Sequence, residues 1–225
     1  MFTHRFRSRL TRHHLPAALV SALALAVLVP LTPSDRRVQA WSIATAYVAL
    51  ALLAATLVTG PYAVLKGRRH PTSNDLRRDL GIWAGGFGLA HFLIGLQVHL
   101  KHRYLYWFKE ATSPGIPSPR TDPFGLANDL GVIAVVIVVV LLAISNDVSL
   151  RRLGAPRWKK IQQWNYWYLG LVILHAGIYE VLEKRKIGLV LLSLVIAGGA
   201  VAVQAAGALR RRQHSQPSLL SKREA

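Results

Sequence analysis

Apolar runs of about twenty residues alternate with short, arginine-rich connectors along the chain. A helix of that length rises about 30 Å, which matches the hydrocarbon core of a bilayer. Six such runs predict six transmembrane helices: Leu15–Leu31, Ala40–Leu65, Leu80–Leu100, Leu126–Ser145, Gln163–Leu182 and Ile187–Leu209. The predicted fold class is an all-α, polytopic membrane helix bundle.

The charge balance is strongly basic, with 28 Lys+Arg against 10 Asp+Glu among 225 residues and a formal net charge of +18. A soluble domain with this balance would be expected to bind nucleic acid. The mean hydropathy of +0.31 and the separation of charges from apolar runs instead indicate an integral membrane protein in contact with the lipid bilayer. No nucleic-acid partner is therefore expected. The sequence contains no cysteine, which excludes disulfide scaffolds, thiolate metal sites, iron–sulfur clusters and cysteine nucleophiles.

The distribution of cations predicts the orientation of the bundle. If the amino terminus lies in the cytoplasm, 19 of the 28 Lys and Arg residues fall on the cytoplasmic side. Six spans then place both termini in the cytoplasm, in a multi-pass protein of the cell (cytoplasmic) membrane. The predicted division is a basic cytoplasmic segment at residues 1–14, the transmembrane domain at 15–209 and a basic polar tail at 210–225. Residues 1–40 also resemble a cleaved signal peptide, whose removal would leave five spans in the same orientation.

Two of the nine histidines, His91 and His175, lie deep in predicted apolar helices, where an ionisable side chain is costly and needs a partner. His91 follows Asp79 by 12 residues and His175 follows Gln163 by 12. Both imidazoles are therefore predicted about 18 Å above the inner boundary, on helices that run in the same direction. Such a pair would clamp a flat iron porphyrin, one ring on each face. Alternatively, each ring would donate to a backbone carbonyl and only join helices.

Other chemistries find less support in the sequence. No Ser/His/Asp set, phosphate-binding glycine loop or HExxH motif can be recognised. The spans hold almost no acidic residues at mid-membrane, where ion-coupled transporters usually need them. Small residues near the two histidines allow either close helix packing or the approach of a flat ligand: Gly85, Gly86, Gly88, Gly170 and Gly177. Histidines in the basic connectors are assigned no function: His4, His13, His14, His70 and His214.

Two stretches carry a resemblance to a known family. Thr72–Phe92 contains RRDLG ahead of His91, and Ser145–His175 contains RRLGAPRW ahead of His175. In this pattern the chain resembles the ferric-reductase-like transmembrane family. That family includes the haem-binding membrane subunit of the bacterial methionine sulfoxide reductase system and the membrane part of NADPH oxidases. The resemblance spans roughly Ala40–Leu209, most of the chain.

The resemblance implies a b-type haem with His91 and His175 as the axial ligands of its iron. Many relatives hold a second haem nearer the cytoplasm, but here Gln162 stands where the fifth-helix histidine of that site is expected. One haem is therefore predicted. Some relatives continue into a flavin and nicotinamide domain, whereas no flavin site is expected in this chain. The cations placed to pair with haem propionates at the outer edge are Lys101, His102 and Arg103.

The predicted function is transmembrane electron transfer by a membrane haem b protein that resembles ferric reductases. The chain would be an oxidoreductase component that receives electrons from a separate flavoprotein or from a quinol. Two alternatives stay open. One is a quinol-fed relay subunit for a separate extracytoplasmic reductase, and the other is a haem-free membrane scaffold or transporter.

Overall fold

The computed structural model describes residues 7–34, 36–67, 74–100, 108–109 and 118–215, and these are almost entirely helical. The first helix, α1 (Arg7–Leu31), includes a π-helical turn at Leu10–His14. The other helices are α2 (Arg37–Leu65), α3 (Asn74–Leu100), α4 (Pro123–Ile144), α5 (Asp147–Leu153), α6 (Ala155–Gln162), α7 (Trp164–Leu182) and α8 (Ile187–Ser215). Between α3 and α4, the short strands β1 (Phe108–Lys109) and β2 (Ser118–Pro119) pair in antiparallel fashion.

Five helices are long and apolar enough to cross a membrane within the part of the chain that the structure describes: α1, α2, α3, α4 and α8. The predicted all-helical membrane fold is therefore confirmed. The 19-residue helix α7, which corresponds to the fifth predicted span, is not in this group. Asn165, His175 and Glu180 lower its hydropathy, and its first turns are rich in tryptophan and tyrosine. The predicted count of six spans therefore depends on α7.

Helix α2 lies at the centre of the bundle. Of its most apolar window 56% is buried, against 22% or less in the other four candidate spans. Leu53 and Leu57 of α2 belong to a buried cluster with Ala84 of α3, Val138 of α4 and Tyr168 of α7. Helices α1 and α8 pack against α2 from outside this cluster. The buried cluster therefore joins the central helix to α3 and α7, which carry the two deep histidines, and to α4.

Backbone carbonyls of α2 and α8 fix the relative direction of these two helices. Tyr47 Oη donates to Leu189 O over 2.9 Å, and Gln204 Nε2 donates to Leu57 O over 2.5 Å. Residue numbers thus increase together along both helices, so α2 and α8 run parallel. This is the arrangement that the second and sixth spans of the predicted topology require.

Charged residues extend α1 and α3 beyond the predicted apolar runs. Helix α1 begins at Arg7 and α3 at Asn74, whereas the sequence predicted Leu15 and Leu80. The carboxylate of Asp79 in α3, which is 1% exposed, contacts three basic side chains of α1: Arg9, His13 and His14. These contacts give the charges partners inside the bundle. His13 and His14, which the sequence assigned no function, therefore hold α1 against α3.

The connector between α4 and α7 folds into the short helices α5 and α6. Asn146 caps α5 by accepting a hydrogen bond from Ser149 N over 2.8 Å. Gly154 ends α5 with a φ of 72°, a left-handed backbone conformation that favours glycine. Trp158 Nε1 of α6 then donates to Ile144 O at the end of α4 over 2.9 Å. This contact places α6 against the end of α4, and α7 then packs beside α4.

Candidate functional site

His91 of α3 and His175 of α7 lie side by side within the bundle. The centres of their imidazole rings are 6.1 Å apart, and the ring planes are inclined at 77°. Both side chains line one cavity between the helices. The two histidines that the sequence placed at the same depth therefore face a common space.

Each imidazole is oriented by a backbone carbonyl of a neighbouring helix. His91 Nδ1 lies 2.8 Å from Ser42 O of α2, and His175 Nδ1 lies 2.8 Å from Ala127 O of α4. A carbonyl can only accept, so each Nδ1 carries the proton and each neutral ring has its lone pair on Nε2. A hydrogen bond of this kind behind the ring is the usual support of a metal-ligating histidine.

The spacing of the two rings fits a metal held between them. Metal–nitrogen bonds of about 2.0 Å, with about 1 Å more from each nitrogen to its ring centre, would place the ring centres about 6 Å apart. The observed separation is 6.1 Å. Among the described residues, no group of three or more His, Asp or Glu side chains is arranged to hold a metal ion. Two imidazoles suit a porphyrin, whose four nitrogens supply the remaining ligands.

The cavity is apolar around the histidines and polar at its mouth. Its volume is about 150 Å³. It is lined by residues of α2, α3, α4, α7 and α8. The polar residues of the mouth are Gln39, Glu180, Glu183 and Arg185. This lining suits a mainly apolar group with a charged edge.

Tyr179, one helical turn after His175, supports the orientation of that imidazole. Its ring centre lies 5.0 Å from the centre of the His175 ring. Its hydroxyl donates to Asn128 Oδ1 of α4 over 3.0 Å. The ring of Phe124 lies on another edge of Tyr179, 6.2 Å away between centres. The side chain of His175 is thus held by two elements, its own helix and α4.

Glycines contribute to the site in a more specific way than the sequence indicated. A Cβ atom at Gly131 of α4 would lie 3.0 Å from His175 Cε1, so this glycine makes room for the imidazole. Gly88 lines the cavity, and a Cβ there would lie 2.7 Å from Tyr168 Oη. By contrast, a Cβ at Gly170 or Gly177 would meet nothing within 4 Å. Spacing along one helix does not reveal Gly131, because its neighbour lies on another helix.

Polar side chains contact one another at the position expected for a second, inner ligand site. Gln162 Nε2 lies 3.4 Å from Ser145 Oγ, and Asn165 Nδ2 donates to Gln162 Oε1 over 3.2 Å. The cavity beside them has a volume of about 20 Å³, against about 150 Å³ for the cavity at the two histidines. A Cβ at Gly85 would lie 2.8 Å from the side chain of Leu142, which closes this region.

The sequence and the structure point to different residues at the mouth of the cavity and around the histidines. Lys101, His102 and Arg103, predicted to contact propionates, lie outside the described residues. Arg185, in the connector after α7, is instead a described cation at the cavity mouth. The sequence could have placed Arg185 at the outer end of α7, but it could not show that its side chain lines the cavity. The carbonyls of Ser42 and Ala127 have no sequence signal, because every residue has one.

Comparison with known protein families shows which family the chain belongs to. Residues 43–174 match the family described as ferric reductase like transmembrane component. The matched segment is more than half of the chain, contains His91 and ends one residue before His175. The chain belongs to this family. The predicted family is thus confirmed over residues 43–174, and membership of the ferric-reductase-like family indicates a role in electron transfer at a membrane.

Proposed function

We propose that this chain is a haem b protein that transfers single electrons across the membrane, with His91 and His175 as axial ligands. The observation that carries the proposal is the 6.1 Å separation of two imidazoles that share one cavity. When bound, the haem supplies a one-electron carrier that neither imidazole could provide alone. The chain's own part is to orient both Nε2 atoms and to exclude bulk water from the iron. Ser42 O, Ala127 O and Tyr179 perform the orienting role.

Six transmembrane helices, with α7 as the fifth, are part of the proposal. Contacts at both ends of α4 support it. Gln162, just before α7, contacts Ser145 after α4, while Tyr179 near the end of α7 contacts Asn128 near the start of α4. Helix α7 therefore runs antiparallel to α4 over nearly its whole length, and α4 is long enough to cross the membrane. With the cationic segments inside, both termini lie in the cytoplasm of a cell whose cytoplasmic membrane holds the protein.

The charged edge of the haem is proposed to face the cavity mouth. Arg185 lines the mouth and donates to Glu183 Oε2 over 3.0 Å. Its guanidinium, together with Lys101, His102 and Arg103, which follow α3 in the sequence, would pair with the propionates. Electrons would enter from a flavoprotein or a quinol, and an acceptor outside the cytoplasm would receive them.

A reduced-minus-oxidised absorption spectrum tests the proposal. The full chain is purified in detergent from haem-replete cells, and a Soret band that sharpens and shifts on addition of dithionite is expected. The haem-to-protein ratio should be near one, because Leu142 and Gln162 occupy the inner region. A colourless preparation would reject the haem, and a ratio near two would reject the single site.

Gly131→Ala is expected to loosen the bound haem. The new Cβ would lie 3.0 Å from His175 Cε1, so the imidazole would have to shift by a few tenths of an ångström and its bond to Ala127 O would lengthen. Transfer of haem to excess apomyoglobin should be several-fold faster than from the unaltered chain. Gly177→Ala is the matched control, because its Cβ meets nothing within 4 Å. Equal transfer rates in the two variants would contradict the fit described here.

A further inference from the structure

Glu180 lies at the mouth of the histidine cavity, where α2, α7 and α8 meet. Its Oε1 atom is 3.2 Å from Tyr47 Oη of α2. The same hydroxyl is 2.9 Å from Leu189 O of α8. Tyr47 is 7% exposed and Glu180 is partly exposed, so the tyrosine of this contact is buried while the carboxylate reaches the mouth of the cavity.

The number of hydrogen atoms in this contact allows two protonation states. Tyr47 has one phenolic hydrogen and two neighbouring acceptors. If Glu180 is ionised, the phenol can donate to its carboxylate. If Glu180 is protonated, the carboxyl can donate to Tyr47 Oη, and the phenol can donate to Leu189 O. Both states are satisfied with the heavy atoms in the same places, so a proton can be gained or lost without rearrangement.

The neighbouring charges do not neutralise Glu180. Arg185 pairs with Glu183, at 3.0 Å, and Gln39 Nε2 also lies 3.4 Å from Glu183 Oε2. Arg185 N donates to Glu180 O over 3.2 Å, but within the described residues no side-chain nitrogen of Lys, Arg or His forms an ion pair with the Glu180 carboxylate. The other polar residues that line the same cavity are His91 of α3, Asn128 of α4, Ser42 of α2, Tyr168, His175 and Tyr179 of α7, and Ser193 of α8.

An electron that arrives at the site adds negative charge to a largely apolar cavity. Interactions between charges are much stronger there than in water, so an ionised carboxylate at the mouth opposes reduction. We propose that Glu180 takes up one proton when the haem site gains one electron, and releases it on reoxidation. The inference rests on the proposed function. In balance, a quinol or reduced flavin would supply one electron to the haem that His91 and His175 would hold, and water at the open side would supply one proton to the Glu180 carboxylate.

The midpoint potential of the purified chain, measured by redox titration from pH 5 to pH 9, tests this coupling. One pH unit is a tenfold change in proton concentration, which corresponds to about 59 mV for a one-electron couple. The unaltered chain should show a potential that falls with rising pH at a slope approaching this value over part of the range. Glu180→Gln should remove most of the slope and raise the potential at high pH, because the amide cannot ionise.

Glu183→Gln is the matched control, since this carboxylate is three residues away and pairs with Arg185. It should shift the potential but keep the slope. A slope in Glu180→Gln equal to that of the unaltered chain would overturn the proposal and assign the proton to another group, such as a propionate. A potential independent of pH in the unaltered chain would also overturn it. Both outcomes require bound haem, so a preparation with no haem spectrum rejects the proposed function instead.

Discussion

Replacing His91 or His175 with alanine is expected to remove essentially all bound haem. Each substitution takes away one of the two proposed axial nitrogens, and the described residues that line the cavity include no third histidine. The Soret band of the purified variants should fall to a few per cent of that of the unaltered chain. Each variant also removes one hydrogen bond to a backbone carbonyl, Ser42 O or Ala127 O, which costs about 0.5–1.5 kcal/mol of stability.

His70→Ala is the control for these variants, because the sequence places this histidine in a basic connector. It should keep the full Soret band. Size-exclusion profiles of all three variants should match that of the unaltered chain, which separates haem loss from misfolding. A Soret band of ordinary intensity in His91→Ala or His175→Ala would show that the iron is held elsewhere.

Arg9→Leu is expected to lower the free energy of unfolding by about 3 kcal/mol. Asp79 is 1% exposed, and both nitrogens of the Arg9 guanidinium that face it donate to its carboxylate. Breaking a buried ion pair by removing one partner costs about 3–5 kcal/mol. The lower end applies because His13 Nδ1, at 2.7 Å, and His14 Nε2, at 3.5 Å, still face the carboxylate. Unfolding by sodium dodecyl sulfate in mixed micelles measures the change.

Arg12→Leu provides the matched control on the same turn of α1. Arg12 is exposed, so its loss should change the free energy of unfolding by less than about 0.5 kcal/mol. Equal effects of the two substitutions would contradict the role given to Asp79 and would assign the loss to general changes in α1.

The apolar runs predicted most helix positions, because a helix that crosses the lipid core must be apolar along most of its length. Helices α2, α4 and α7 begin and end within three residues of the predicted bounds, and α8 begins at the predicted residue. The start of α3 was missed because the partners of Asp79 belong to α1, which local patterns cannot reveal. Helices α5 and α6 were missed for a related reason, since their polar residues gave no apolar periodicity and Trp158 finds its acceptor on α4.

The candidate ligands were found because equal distances along two parallel helices translate into equal depth. Sequence reasoning could therefore pair His91 with His175, whose rings lie 6.1 Å apart. It could not find Gly131, Arg185 or Glu180 as parts of the same cavity. Their contribution depends on how α4, α7 and the connector after α7 are rotated about their axes, and this is set by packing throughout the bundle.

Electron paramagnetic resonance of the oxidised, purified chain tests the central claim most directly, because it reports the ligands of the iron. Two imidazoles on one ferric haem predict a low-spin signal. The 77° angle between ring planes that are fixed by Ser42 O and Ala127 O further predicts strong anisotropy of that signal. A predominantly high-spin ferric signal, as expected for iron held by a single histidine, would contradict the account.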